Sequence, residues 1–390
     1  MSDIMKEDIP FVGLHAHSVA GSIFDALGYP QQHMNYAYEN GMDALALTDH
    51  GNANGLAYQV LHAKKMQAEG KNFKPIFGVE AYFVPSVASW KDQYDKIREE
   101  TKNKKSLEAV QSGTTIENEA SKKKISSILR KRSHLILLAQ NRVGLENIFK
   151  MISKSYVGDN FYHYPRVDYA LLKKHNEGVI AASACLGGVY ATDYWDNRDF
   201  GEDAVLDAMR KTTQKMQNVF GDRWYGELQW NNIPEQHLLN NYIIQMHYEF
   251  GVELISTADS HYYSPEAWKD RELYKRLGFL GRKPEWLSEE LPVDVEEVGY
   301  ELYPKNGNQM WEAYKKYSKN SKIDYDDHIV LDSIKRTYTI AHERIENFMP
   351  DNTVRLPDFV VPEGQTAAQT LAMFCISGAK ERGLHNNKEY

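Results

Sequence analysis

Cysteine is scarce: the 390 residues hold two, Cys185 and Cys375, far apart and without CxxC spacing. That excludes a disulfide framework and points to a reducing compartment, so the cytoplasm is the expected location. No apolar run reaches the ~18 residues that a membrane-spanning helix requires. The opening MSDIMKEDIP is too acidic and polar for a secretory signal. Positive charge is not in excess either, since the formal net charge is −8. A polyanionic partner would therefore have to be met by a local basic patch or by bound metal ions. Internal repeats and heptads are absent as well. These absences leave a soluble chain long enough for one large α/β barrel with an appended segment.

Seven short segments have strand character: FVGLHAH (11–17), ALALTDH (44–50), KPIFGVEAYFV (74–84), HLILLAQN (134–141), GVIAASAC (178–185), YGELQW (225–230) and VELISTADSH (252–261). Stretches of helical period lie between most of them, such as PQQHMNYAYENG, NGLAYQVLHAKKMQAEG and PEQHLLNNYIIQMHYEFG. Near-continuous apolar strands alternating with helices predict strands buried on both faces, as in a parallel sheet or barrel. Residues 86–132 break the alternation. They are rich in Lys, Glu, Ser and Asn and read as a surface insertion, partly helical, whose SKKK and RKR clusters are a solvated face or, alternatively, a phosphate contact. After about residue 284 aromatic and charged residues mix without strand signals, and LPDFVVPEGQTAAQTLAMFCISGAKERGL (356–384) reads as an extended link followed by a helix from near Thr366. The expected division is a barrel over 1–285, a connecting region over 286–355 and a further link over 356–390.

The functional signal is the position of polar residues on these strands. His15 and His17 close the first, Asp49 and His50 the second, Glu80 lies in the third, Cys185 ends the fifth, and Asp259 with His261 ends the seventh. Side chains at i and i+2 of a strand share a face, so His15/His17 and Asp259/His261 each present a pair. In a parallel barrel the carboxyl ends of the strands meet at one mouth, where such folds carry their chemistry. For any single residue a structural role suffices, as a satisfied core histidine or a small buried thiol. Their joint occurrence at strand ends is what points to a metal site.

The motifs HAHS, ALTDHGN, FGVEAYFVP, HLILLA, PRVD, GVIAASACLGG and STADSHYY, in that order, resemble the polymerase-and-histidinol-phosphatase (PHP) domain of the bacterial DNA polymerase III alpha subunit family. The resemblance implies a distorted (β/α)7 TIM-like barrel with a surface insertion, and two to three divalent metals. It also implies metal-dependent phosphoesterase or 3′–5′ exonuclease activity where every ligand is kept, and a structural role where ligands are lost. Carried over motif by motif, it implies as ligands His15, His17 and Asp25 from the first, His50 from the second, Glu80 from the third, His134 from HLILLA, Cys185 from SACLG, and Asp259 and His261 from the last. Asp25 follows His17 one residue later than the family pattern, so its placement is for the structure to decide. Asp49 is expected to orient a ligand by hydrogen bond or to cap the following helix. The implied partners are DNA, the remaining polymerase core and other replisome components; no membrane is involved.

Nine ligands shared among three ions give about three each, leaving positions for water and substrate, as in catalytic rather than structural sites. Imidazole, carboxylate and thiolate together suit Zn²⁺, Mn²⁺ or Fe²⁺ better than Mg²⁺. Polymerisation needs a palm with clustered aspartates, which the resemblance places beyond this chain. The pair Asp324 and Asp326 in KIDYDDHIV reads instead as an acidic loop entering a helix. Three functions follow: the amino-terminal part of a replicative polymerase with a nuclease site, a free-standing phosphoesterase acting on a small phosphorylated metabolite, or a metal-stabilised scaffold.

Overall fold

The computed structural model describes residues 8–108, 131–280, 291–351, 353–354 and 359–387. Residues 109–130 of the 86–132 insertion, with its SKKK cluster, and the start of the LPDF link fall outside them. Two units are formed, residues 1–350 and 351–390.

In the first unit the strands are β1 (Ala44–Leu47), β2 (Lys74–Phe83), β3 (Ser133–Ala139), β4 (Phe161–Tyr162), β5 (Tyr164–Val167), β6 (Val179–Ala182), β7 (Trp224–Gln229) and β8 (Glu253–Thr257). β1 pairs with β2, and the sheet continues through β3, β6 and β7 to β8, with β5 and β4 branching from β2. Residues 11–17 close the ring between β1 and the end of β8. Gly13 bridges Leu45 and Ala16 bridges Ser260, with Ala46 N–H donating to the Gly13 carbonyl at 2.8 Å and His17 N–H to the Ser260 carbonyl at 2.7 Å. Gly13 is needed here, because a Cβ would sit 2.7 Å from Leu45 Cδ1.

Two expectations are corrected. The first segment is not a regular strand but two isolated bridges. Leu14 joins the barrel's interior apolar cluster, while its neighbour His15 contacts Glu80, Glu227 and Asp259, all interior positions. Two consecutive side chains on one side of the wall break the strand's period of two. Hydroxyls replace the lost ladder bonds: Val12 N–H donates to Thr337 Oγ1 at 3.1 Å and Ala16 N–H to Thr48 Oγ1 at 3.2 Å.

The second correction is direction. β3 runs antiparallel to both β2 and β6, whereas β1–β2, β6–β7 and β7–β8 are parallel. A continuous apolar run reports burial on both faces and not direction. The insertion leaves β2 at the mouth and returns the chain to β3 at that same end.

Inside the ring β2, β7 and β8 step by two from an apolar floor to a polar mouth. β2 runs Ile76–Gly78–Glu80, β7 Tyr225–Glu227–Gln229 and β8 Ile255–Thr257, followed by Asp259. Ile76, Ile136, Ile180, Tyr225 and Ile255 are buried together with Ile340, Ala341 and Ile345, which plug the floor. Lys74 Nζ holds this plug by donating to the Ala341 and Ile345 carbonyls at 2.6 and 2.5 Å. Helices Pro30–Glu39, Leu56–Ala68, Arg142–Ser155, Glu202–Phe220 and Pro234–Phe250 cover the outside. Proline at the first turn starts the first and last of these, and Asn141 caps the third by accepting from Gly144 N–H.

The front of the insertion is packed rather than solvated. It forms helix Val87–Glu108, whose Val87, Trp90 and Tyr94 are buried with Val84. Arg166 stacks on the Trp90 ring at 3.9 Å. Beyond the barrel strands, helices Gly307–Tyr317 and Asp327–Thr339 contribute Trp311, Tyr314, Val330 and Ile334 to the main core. Asp326 caps the second of them by accepting from His328 N–H at 2.8 Å, and Asp324 is exposed. In the second unit, Thr366 and Gln369 form a capping box at the start of helix Ala367–Glu381.

Candidate metal centre

At the mouth the nine side chains come together. Glu80, fully buried in β2, is the hub: its Oε1 lies 3.5 Å from His15 Nε2 and 3.0 Å from His134 Nδ1, and its Oε2 3.6 Å from His17 Nε2 and 2.5 Å from His50 Nδ1. Asp259 Oδ1 stands 3.0 Å from His15 Nε2 and 3.3 Å from His17 Nε2. Cys185 Sγ lies 3.6 Å from His134 Nδ1. Asp25 Oδ2 is 3.0 Å from His50 Nε2 and 3.5 Å from His261 Nε2. The longer interval after His17 therefore still delivers Asp25 to the cluster. His134 arrives from the amino end of β3, which antiparallel pairing opposite Tyr82 puts at the same mouth.

Ligand atoms converge in three overlapping groups: His17 with His50 and His261, His15 with His17 and Glu80, and His50 with Glu80 and His134. Among these buried atoms the second oxygen of Glu227 makes no hydrogen bond, while His50 Nδ1, Glu80 Oε2 and Asp259 Oδ1 are met only by ion pairs inside the cluster. Buried polar atoms without partners are costly. Buried ligand atoms crowded this closely fit divalent cations, and imidazole–carboxylate–thiol chemistry fits the transition metals. A cleft of about 290 Å³ opens above them, walled also by Gln229, Asn231, Gln236 and Tyr300.

The backbone is strained at this place. Among the described residues five non-glycine positions have positive φ, and three of them are Phe24 before Asp25, Ala184 before Cys185, and Asp259 itself. Such conformations persist where the surrounding structure over-determines them.

Electrostatics in the metal-free cluster are self-compensating. Burial pulls His15 down, but the Asp259 and Glu227 charges outweigh it and hold His15 well above its ordinary pKa. His50 is likewise raised, because Glu80 and Asp25 overcome its burial. At His17 the balance goes the other way: burial and the nearby His50 and His261 outweigh Asp259 and Glu80 and push it down to about 3. Burial would raise Glu80 and Asp259, yet the imidazoles beside them hold both well below the carboxylate range. Burial, with Asp259 and Glu80, pushes the Cys185 thiol up. Metal binding must therefore release protons.

The family model described as PHP domain matches residues 13–231, more than half of the chain. The chain belongs to the PHP-domain family. A DNA polymerase III subunit alpha from Aquifex aeolicus is 30% identical over 377 residues, covering 95% of this chain and 28% of that protein. The subunit alpha from Borreliella burgdorferi is 29% identical, covering 95% of this chain and 27% of its own length. The chain thus spans little more than a quarter of these relatives. Among solved structures, a proposed metal-dependent phosphoesterase from Bifidobacterium adolescentis aligns with 79% of this chain and 98% of its own at 14% identity and TM-score 0.32, a likeness too low to carry an argument.

Three residues of this PHP domain support the cluster from behind. Glu227, fully buried in β7, accepts from His15 Nδ1 at 2.7 Å and thereby turns Nε2 toward the mouth. Sequence reading missed it, although a carboxylate inside an otherwise buried strand was a usable signal. Arg271, also missed, donates to Asp25 Oδ1 at 2.8 Å and to the Asp25 carbonyl at 2.7 Å, leaving Oδ2 for the cluster. No spacing in the sequence marks it. Asp49 accepts from Ser18 N–H at 2.6 Å and from the Ser22 hydroxyl at 3.0 Å, and Ser22 Oγ lies 3.2 Å from His17 Nδ1. It steadies the loop behind His17; the following helix starts at Gly55 without a side-chain cap.

Proposed function

We propose that this PHP domain is the amino-terminal region of a replicative DNA polymerase III alpha subunit, working in the cytoplasm with DNA, the polymerase core and other replisome components. In this reading residues 1–285 carry the catalytic barrel, 286–355 both connect it and, through Ile340, Ala341 and Ile345, close its floor, and 356–390 lead toward the core. The nine mouth residues hold two to three Zn²⁺, Mn²⁺ or Fe²⁺ ions and hydrolyse phosphodiesters from a DNA 3′ end. The observation that carries the reading is the convergence of His15, His17, Asp25, His50, Glu80, His134, Cys185, Asp259 and His261 in one network of close contacts beneath a single cleft.

When bound, such ions supply positive charge against a phosphodiester and acidify an attacking water. The chain's own residues do the rest. Glu227 and the Asp259 carbonyl, which accepts from His261 Nδ1 at 2.7 Å, fix the two rings so that each Nε2 faces the cleft. Arg271 fixes Asp25 and adds a permanent positive charge at the rim. Gln229, Asn231 and Gln236 offer uncharged polar contacts to a substrate. Nucleotidyl transfer is not assigned to these residues, since Asp326 is occupied as a helix cap and Asp324 faces water.

Digestion of a 3′-labelled primer, beside hydrolysis of a small phosphate monoester, tests this under Mn²⁺ and Zn²⁺. Primer shortening that falls by orders of magnitude in His15→Ala, Glu80→Ala and His261→Ala supports it. Equal digestion by wild type and His15→Ala refutes it in favour of a scaffold. Monoester hydrolysis without primer shortening gives the site to a metabolite phosphatase.

A further inference from the structure

The rim beside Asp25 has a feature that metal binding does not require. Phe24 adopts φ 63°, a left-handed backbone that disfavours a bulky side chain. Its ring is 45% exposed, next to Ile23 at 62%. One side of the ring leans on Tyr274, with centroids 5.4 Å apart and planes at 32°. Tyr274 follows Arg271 by one turn of helix Trp268–Leu277, and Arg271 grips Asp25 by its carboxylate and its carbonyl. Gly278, which caps the same helix, packs against the base of the side chain, where a Cβ would lie 2.7 Å from Phe24 Cβ. Strained backbone and packing against this helix and its cap thus hold an aromatic side chain half in water, directly beside a residue of the cluster. Hydrophobic burial alone would turn that ring inward. The helix behind it carries four basic residues against two acidic ones, Asp270 and Glu272.

We infer that Phe24, backed by Tyr274, is a stacking platform for the terminal base of a single-stranded DNA end, which sets the adjoining phosphodiester over the cleft. The inference rests on the phosphodiesterase reading above and narrows its substrate to unpaired strand ends. Every base has a π-face, so an exposed aromatic ring beside positive charge binds single strands without regard to sequence. A small phosphorylated metabolite without an aromatic ring has nothing to place there.

The test uses the metal-loaded full chain and an oligonucleotide whose unpaired 3′ nucleotide is 2-aminopurine, joined by a phosphorothioate that resists cleavage. Stacking quenches 2-aminopurine fluorescence, a signal independent of turnover. Wild type should quench it. Phe24→Ala should abolish quenching and weaken binding about tenfold, Phe24→Trp should restore both, and Phe24→Leu, apolar without a π-face, should restore neither. The rescue by tryptophan separates stacking from folding, and melting curves of all variants check the latter. Unchanged quenching in Phe24→Ala, or equal behaviour of Phe24→Leu and Phe24→Trp, overturns the platform. Quenching without digestion of an unmodified primer defeats the nuclease reading alone, whereas digestion without quenching defeats the platform alone.

Discussion

Glu227→Gln is the substitution that separates orientation from charge at the cluster. Glu227 Oε1 accepts from His15 Nδ1 at 2.7 Å, from Thr257 Oγ1 at 2.5 Å and from Gln229 Nε2 at 3.0 Å, all buried. Glutamine has the same shape but no charge, and its carbonyl in the place of Oε1 accepts the same three contacts without the charge that strengthens them. Two effects oppose each other. Losing one of the two carboxylates that outweigh burial lowers the His15 pKa, so in acid fewer protons have to be displaced by metal. Losing the buried charge that steadies the ring and makes it a stronger ligand weakens metal binding at every pH, by about 10–100-fold for a partner of a metal-binding histidine, or about 1.4–2.7 kcal/mol at 1.36 kcal/mol per decade. Near pH 8 the second effect acts almost alone, whereas near pH 6 the first offsets part of it. Competition against a chromophoric chelator at both pH values should show the full deficit in alkali and a smaller one in acid. No deficit near pH 8, or a deficit that grows in acid, would refute this account of Glu227.

Chelation should lower the melting temperature, and the gap between loaded and stripped protein should shrink from pH 8 toward pH 5.5. The sign follows from His15 and His50, whose raised pKa values keep protons on both rings in acid, so that loading is favoured as pH rises through those values; differential scanning calorimetry measures it. Asp326→Ala should cost about 1 kcal/mol through loss of the helix cap, read from denaturant unfolding, while Asp324→Ala leaves both stability and primer digestion near wild type. Trp90→Ala, which removes a buried ring and the Arg166 stack, should cost about 3–5 kcal/mol in the same unfolding assay and leave metal content unchanged.

Much of the barrel was legible because its strands change polarity along their length with period two. Ile76–Gly78–Glu80 and Ile255–Thr257–Asp259 name both the floor and the mouth without a structure. Thr366 and Asp326, each a small polar residue at a helix start, were legible for the same local reason. Direction was not: HLILLA is buried on both faces whichever way β3 runs, and only the path of the insertion decides it. The break between Leu14 and His15 was hidden because it answers to neighbours more than two hundred residues away, Ser260 among them. Glu227 and Arg271 escaped for a related reason, since each matters through the side chain it holds and not through any spacing of its own. In the insertion, overall polarity concealed Val87, Trp90 and Tyr94, which recur at helical intervals and bury one face.

The claim on which the rest depends is that the mouth holds metal. Elemental analysis of gently purified protein, counted per chain, measures it directly. Two to three transition-metal ions per chain, falling in Glu80→Ala because Glu80 touches four of the five histidines, is the predicted result. Less than one ion per chain in the wild type, with Glu80→Ala no different, would contradict it.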